Sequence, residues 1–297
     1  MPRLRRAVHF VPGGNEKMLA KSLDLEADSL VLDLEDAVVP ERKESAREAV
    51  TGWLRDADFG RRERVVRMNP LDSPWGARDL EATMAAPPDA YLVPKVRSRD
   101  DLLELDRLLT GLEARHGHPR GEVALLVLGT ETPEGVLNLR DLPACPRVDA
   151  LTWGAEDLSA AIGARRNRDE RGGFLDVFRY CRIMTLLSAA AAGVQALDTV
   201  YVDIRNLEGL KRECSEAARM GFTGKLTIHP SQIDVVNEAF TPSAEEVAES
   251  RELLEAFEEN RRAGRMAFAF RGQMVDAPHL ERARNTLERA RQAGIPV

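Results

Sequence analysis

The stretch "VDALTWGAEDLSAAIG", Val148–Gly163, runs from an apolar strand into the start of a helix and sets two carboxylates, Glu156 and Asp157, on the boundary. An acid in that position has two uses. It can cap the helix, because carboxylates favour helix N-termini. It can also hold a metal. Which use applies depends on what the neighbouring strands bring to the same place, and therefore on the fold.

The same pattern recurs on both sides of it. Apolar runs start at Ala7 ("AVHFVPG"), Ser29 ("SLVLDLEDAVV"), Arg64 ("RVVRMNP"), Ala90 ("AYLVPKV"), Val123 ("VALLVLGTET"), Ala196 ("ALDTVYVDI") and Gly224 ("GKLTIHP"); with the run at Val148 they make eight. Near-continuous apolar runs are the mark of strands buried on both faces of a parallel sheet. Helical stretches separate most of them, at Asn15–Ala27, Glu41–Ala57, Ser98–His116, Phe174–Ala192 and Asn206–Met220, with shorter ones at Trp75–Ala86 and Pro133–Leu142. Eight strands alternating with helices predict an α/β fold, a (β/α)8 TIM barrel.

An open doubly wound sheet is the alternative. The barrel is favoured because polar residues gather where the strands end: Pro12 and Gly13; Asp33, Glu35 and Asp36; Arg67 and Asn69; Lys95; Glu131 and Thr132; Glu156 and Asp157; Asp203; and His229. In a barrel those ends converge on one face, where active sites sit. Residues 1–240 are therefore read as the catalytic barrel and 241–297 as a C-terminal helical lid and oligomerisation extension. In the extension, Ser243–Arg262 reads as a charged helix with Ser243 as its cap and Glu246 three residues on. A last helix follows from about Pro278. The loop "ARRNRDERGG" after the sixth strand is dense in charge and is read as a solvated, mobile segment.

Composition narrows the function. The chain has 297 residues, is 43% hydrophobic and 31% charged, and carries a net charge of −7, which argues against nucleic acid. No apolar run approaches the roughly 20 residues needed to span a bilayer. The N-terminal "MPRLRRAVHFVPGG" is too short in its apolar part to be a signal peptide. Three scattered cysteines, Cys145, Cys181 and Cys214, form neither a disulfide framework nor a zinc motif, and a cytoplasmic location is expected.

Glu131 ends the strand before the opening stretch. Adjacent strands in a sheet lie about 5 Å apart, so Glu131 and the acids at 156–157 would repel unless protonated or bridged by a cation. Few, hard oxygen ligands suit Mg2+. Arg67 ends the third strand and needs an anion, either an acid of the second strand or a substrate carboxylate gripped in bidentate fashion. Lys95 reads as a cation balancing nearby carboxylates, with a Schiff-base amine as its alternative. His229 reads as a satisfied loop group. Asp276 by itself reads as a surface acid.

Taken in series, "HFVPGGNEKML", "VLDLEDAVVPERKESAR", "VRMNP", "LVPKV", "TETPEGVLN", "GAEDLSAAIG", "LDTVYVDIRN", "GFTGKLTIHPSQI" and "RGQMVDAPH" resemble the citrate lyase β-subunit family, a group of acyl-CoA lyases that includes malyl-CoA and citramalyl-CoA lyases. The resemblance covers almost the whole chain. It implies a Mg2+-binding barrel assembled as a homotrimer or a hexamer of trimers. It implies Glu131 and Asp157 as metal ligands. Arg67 becomes the clamp on a 2-oxo acid carboxylate, assisted by backbone N–H groups at Gly154, Ala155 and Glu156. Glu35 and Asp36 orient clamp and metal waters. Asp276, on a lid swapped from a neighbouring protomer, becomes the acid/base beside the acetyl methyl. The implied reaction is reversible Claisen-type cleavage of a 3-hydroxyacyl thioester to acetyl-CoA and a 2-oxo acid. A citrate lyase α-subunit and an acyl carrier protein are possible partners. A class II aldolase acting on a free 2-keto-3-deoxy acid, and a non-catalytic subunit, remain as alternatives.

Overall fold

A computed structural model describes residues 3–297. It resolves into two compact units, one of Arg5–Asn237 and one built mainly of Glu238–Val297.

The first unit is a closed barrel of eight parallel strands in sequence order: β1 Ala7–Pro12, β2 Ser29–Asp33, β3 Glu63–Arg67, β4 Ala90–Val93, β5 Ala124–Leu128, β6 Val148–Thr152, β7 Gln195–Asp198 and β8 Gly224–Thr227. Alternate residues of these strands, among them Val8, Val31, Val65, Leu92, Leu126, Leu197 and Leu226, form one buried cluster. The continuous apolar runs are explained by this, since the residues between them are also buried, against the outer helices. Those helices are α1 Glu16–Ser22, α2 Lys43–Asp56, α3 Gly76–Thr83, α4 Arg99–His116, α5 Pro133–Asn138, α6 Glu156–Ala161, α7 Asp176–Ala192, α8 Leu207–Met220 and α9 Ile233–Phe240. Local chemistry sets several of their ends. In α4, Ser98 and Asp101 form a reciprocal capping box, and Gly117 at φ 73° closes the other end.

Several boundaries differ from the sequence expectation. The first helix stops at Ser22 rather than Ala27, because Leu23, Asp24 and Leu25 tighten into three-residue turns. The stretch Pro133–Leu142 breaks after Asn138 and resumes as a single tight turn at Leu142–Ala144 around Pro143. The seventh strand ends at Asp198, so Asp203 lies in the exposed loop beyond it and not at a strand end. The charged loop after β6 is tied down: the Arg168 guanidinium pairs with Glu213 at 2.7 Å and lies 3.7 Å from the centre of the Phe174 ring.

In the second unit, α10 (Ala244–Arg262) and α11 (Ala277–Gln292) pack around Leu253, Phe257, Val275, Leu280 and Ala283. The Ser243–Glu246 capping box of α10 is present. Between the two helices lies an antiparallel hairpin, β9 Phe268–Phe270 and β10 Gln273–Val275, that was not expected. Its two-residue turn places Arg271 and Gly272 at φ 47° and 80°, the positive values that such hairpins require. Among the described residues no helix is long and apolar enough to cross a membrane.

One buried group gives the fold a pH dependence. His9 of β1 sits 3.0 Å from Thr227 Oγ1, and burial, with the charge of His229, pushes its pKa down to about 4. The unfolded chain takes up a proton on this residue near pH 6.5, and the folded chain does not until about pH 4. The stability it contributes is therefore complete above pH 6.5 and is lost as pH falls toward 4, by about 3 kcal/mol in all. His9→Gln should flatten the fall in melting temperature between pH 6.5 and 4. Parallel curves for parent and variant would contradict this.

Candidate active site

Parallel register brings the first charged pair together. Asp33 and Arg67 end neighbouring strands directly opposite one another. Asp33 accepts from Arg67 Nε at 2.8 Å and from Nη2 at 2.7 Å, a bidentate grip on one edge of the guanidinium. Arg67 Nη1 lies 2.9 Å from Glu35 Oε2, an ion-pair contact without hydrogen-bond geometry. The guanidinium also covers the Phe10 ring at 4.8 Å. Burial works against its charge, but Asp33 and Glu35 outweigh burial and hold its pKa above the ordinary value. The edge that Asp33 does not take, Nη1 with its Glu35 contact and the second N–H of Nη2, is what remains for a ligand.

Lys95 joins this pair to the fourth and sixth strands. Its backbone takes a left-handed φ of 53°, uncommon for a residue with a side chain. Its N–H donates to Glu131 Oε2 at 2.8 Å. Its ammonium pairs with Glu35, with Asp36 at 3.5 Å and with Asp157 at 3.4 Å. Burial lowers the Lys95 pKa, but the Glu35 hydrogen bond and charge outweigh burial and hold it above the usual lysine range. The balancing role is the one this geometry fits. A permanently protonated amine is a poor Schiff-base nucleophile.

Glu131 is only 5% exposed. Burial, then the charges of Glu35 and Asp157, push its carboxyl up to about 8. Asp157 sits in the first turn of α6, partly exposed. Neither it nor Glu156 is the helix cap: that position is Ala155, which has no side-chain cap bond. Glu156 instead accepts from Asn167 Nδ2 at 2.7 Å, holding the charged loop. A Cβ on Gly154 would come 3.1 Å from Glu131 Cγ, so a glycine there gives Glu131 its room.

The expected N–H contacts need one correction. The Gly154 N–H already donates to Thr130 Oγ1 at 3.0 Å, so among the three residues named only Ala155 and Glu156 offer N–H groups without a partner in the fold. Gly154, Ala155 and Glu156 nonetheless all border a cavity of about 360 Å³, with Asp33, Asp36, Arg67, Glu131 and Asp157.

Among the described residues no group of three or more His, Cys, Asp or Glu side chains stands ready for a metal. Fewer ligands suffice for Mg2+, which is commonly held by one or two carboxylates with water and substrate oxygens completing the shell. The donor chemistry fits. Glu131 is a buried carboxylate whose ionisation is resisted by the acids around it, and a divalent cation between Glu131 and Asp157 relieves that repulsion.

The other candidates fall elsewhere. His229 is exposed and turned onto Ser231, its Nδ1 being 2.8 Å from Ser231 Oγ. Asn69 is buried between Lys43, Leu34 and Asp79 and braces the loop after β2. Asp276 belongs to the second unit, at the start of α11, with its Oδ1 2.7 Å from His279 Nδ1.

Other supports were not foreseen. Lys43 donates at 2.7 Å to the carbonyls of Leu34 and Glu35 and so fixes the segment bearing Glu35 and Asp36. Trp153, on the cavity wall, donates to fully buried Asp198 at 2.8 Å, and Asp198 is held by Lys225 and Arg182. The signals in the sequence were a lysine at the start of a charged helix and an acid inside an apolar run.

Known proteins resemble this chain in sequence and fold. The chain is 39% identical over 293 residues to a mitochondrial citramalyl-CoA lyase of Mus musculus, covering 95% of this chain and 84% of the relative. It is 37% identical to a citrate lyase subunit beta of Haemophilus influenzae, covering 97% of this chain and 98% of the relative. A crystal structure of the Mycobacterium tuberculosis protein CitE in complex with magnesium, acetoacetate and coenzyme A superposes with a TM-score of 0.79 at 38% identity, covering 97% of this chain and 99% of that one. The profile of the HpcH/HpaI aldolase/citrate lyase family matches residues 6–230. On fold, sequence and family profile together, the chain belongs to the HpcH/HpaI aldolase/citrate lyase family and is a carbon–carbon lyase.

Proposed function

We propose that this chain is a Mg2+-dependent lyase that cleaves a 3-hydroxyacyl-CoA thioester, of the citramalyl-, malyl- or citryl-CoA type, to acetyl-CoA and a 2-oxo acid. The observation that carries the reading is Glu131, buried beside Asp157 and facing the same cavity as Arg67, whose Nη1/Nη2 edge Asp33 leaves open. The CoA thioester is carried over from the mouse relative, named for citramalyl-CoA, and from the mycobacterial relative, whose ligands include coenzyme A.

Glu131 and Asp157 would hold Mg2+. When bound there, the ion supplies Lewis-acid polarisation to the oxygen that becomes the 2-oxo carbonyl. The remaining work falls to side chains. Arg67, aimed by Asp33 and Glu35, binds the carboxylate of the acid with its Nη1/Nη2 end, and the N–H groups of Ala155 and Glu156 assist. The Lys95 N–H fixes Glu131, and its ammonium limits repulsion among Glu35, Asp36 and Asp157. The bond between the carbinol carbon and the thioester's α-carbon breaks, the hydroxyl proton passes to solvent, and the α-carbon gains a proton, so the proton count is unchanged. We assign that last proton to Asp276 from the C-terminal segment of a neighbouring copy, in a homotrimer or a hexamer of trimers. The three free, buried cysteines accord with a cytoplasmic enzyme.

The deciding assay is release of acetyl-CoA from malyl-, citramalyl- and citryl-CoA, each with Mg2+ and with EDTA. Release from at least one thioester, abolished by EDTA, is the expected result. No release from any of them would overturn the reading and point to a carrier-bound thioester, a free 2-keto-3-deoxy acid or a non-catalytic subunit.

A further inference from the structure

Behind the cavity wall lies a fully buried charge that the proposed reaction does not use. Asp198 ends β7, and Lys225 stands opposite it in β8. Both alternate with the core residues Leu197 and Leu226, so they point away from the barrel interior. There Asp198 Oδ1 accepts from Trp153 Nε1 at 2.8 Å and from Arg182 Nε at 3.1 Å. Its Oδ2 accepts from Arg182 Nη2 at 3.1 Å and from Lys225 Nζ at 3.0 Å. A buried ion cluster is a weak source of stability, and apolar packing often serves as well. What sets this one apart is the donor without a charge. Trp153 leads directly into residues 154–157, which set the N–H groups of Ala155 and Glu156 and the Asp157 carboxylate against the cavity.

The contacts continue past Trp153 and return to Asp198. The Trp153 ring meets Phe174 edge-on, with centres 4.8 Å apart. Arg168 lies 3.7 Å from the centre of the Phe174 ring and pairs with Glu213 at 2.7 Å. Glu213 pairs with Lys225 at 2.9 Å, and Lys225 with Asp198. The ring of contacts is closed. It passes through the charged loop, which also reaches Glu156 through Asn167. Taking the cavity as the lyase site proposed above, we infer that Asp198 is a positioning residue: through Trp153 it sets where residues 154–157 stand, and through Lys225 and Glu213 it locks the charged loop to the same wall.

A closed ring holds the loop only while every link is intact, so a break at either of two separate links releases the same segment. Trp153→Phe keeps an aromatic ring beside Phe174 and removes the indole N–H, while Asp198 keeps Arg182 and Lys225. Glu213→Gln opens the ring at a residue that does not border the cavity. Each variant is expected to lower kcat/KM for the thioester and Mg2+ affinity, read by calorimetry, by about 10- to 100-fold, the usual cost of losing a support that touches no ligand. Each should also speed amide hydrogen exchange across residues 164–174 of the metal-free protein. The double variant should exchange no faster there than the single ones, because one break already opens the ring. Parent-like Mg2+ affinity or parent-like loop exchange in Trp153→Phe, or loop effects that simply add in the double variant, would make the cluster mere glue between helices and barrel and overturn the inference. If Glu213→Gln fails to fold, Trp153→Phe decides alone. If the parent cleaves no thioester, the lyase reading fails, while Mg2+ binding and loop exchange still decide this one.

Discussion

Replacing Glu131 by glutamine is expected to lower Mg2+-dependent acetyl-CoA release by more than about 100-fold, since loss of partners that merely support metal ligands already costs 10- to 100-fold. The metal-free protein should be at least as stable as the parent. These two results pull apart because the role proposed for Glu131 is to hold a ligand and not the fold. It is almost wholly buried, its carboxyl is pushed up to about 8 by burial and by Glu35 and Asp157, and it takes one backbone N–H, from Lys95. Glutamine keeps the size and an oxygen for that N–H while removing a charge that burial and neighbouring acids resist. Turnover across a Mg2+ titration and thermal melts in EDTA check the two halves. A variant that turns over normally at ordinary Mg2+ would remove Glu131 from the metal site. A variant that melts several degrees lower, with activity lost in proportion, would make Glu131 structural.

The legible and illegible parts of this site differ in kind. Glu131, Asp157, Arg67 and Lys95 could be read because each follows an apolar run, and a strand's end in a closed barrel has only one face to reach. Strand pairing then decided what the sequence could not. Arg67 stands opposite Asp33, and that register spends half its fork before a ligand arrives. Thr130 claims the Gly154 N–H across the gap between β5 and β6. Asp198 was hidden because "ALDTVYVDI" reads as one run, whereas the strand stops at the acid, which is buried with Lys225 and Arg182. The β9–β10 hairpin was hidden for the opposite reason. Its three-residue strands are mostly exposed or half-exposed and too short to show alternation.

Asp276→Asn is expected to slow cleavage by about 100- to 10,000-fold, the usual contribution of a positioned acid or base. The fold should survive it. Asp276 is a half-exposed residue at the start of α11, and asparagine serves that position about as well as aspartate. Lost activity with an unchanged melt would therefore report the proton and not the helix. In the reverse direction the proposed role has the same group remove a proton from acetyl-CoA, so deuterium uptake into its methyl group, measured with the 2-oxo acid present, should fall by a similar factor. The origin of the acid can be tested with the same variant. Chains carrying Asp276→Asn, unfolded and reassembled together with chains carrying Glu131→Gln, should recover activity. Some sites in such mixed oligomers combine an intact Glu131 from one chain with an intact Asp276 from its neighbour. An acid supplied by the site's own chain would give no recovery, and full activity in Asp276→Asn alone would remove the residue from the reaction.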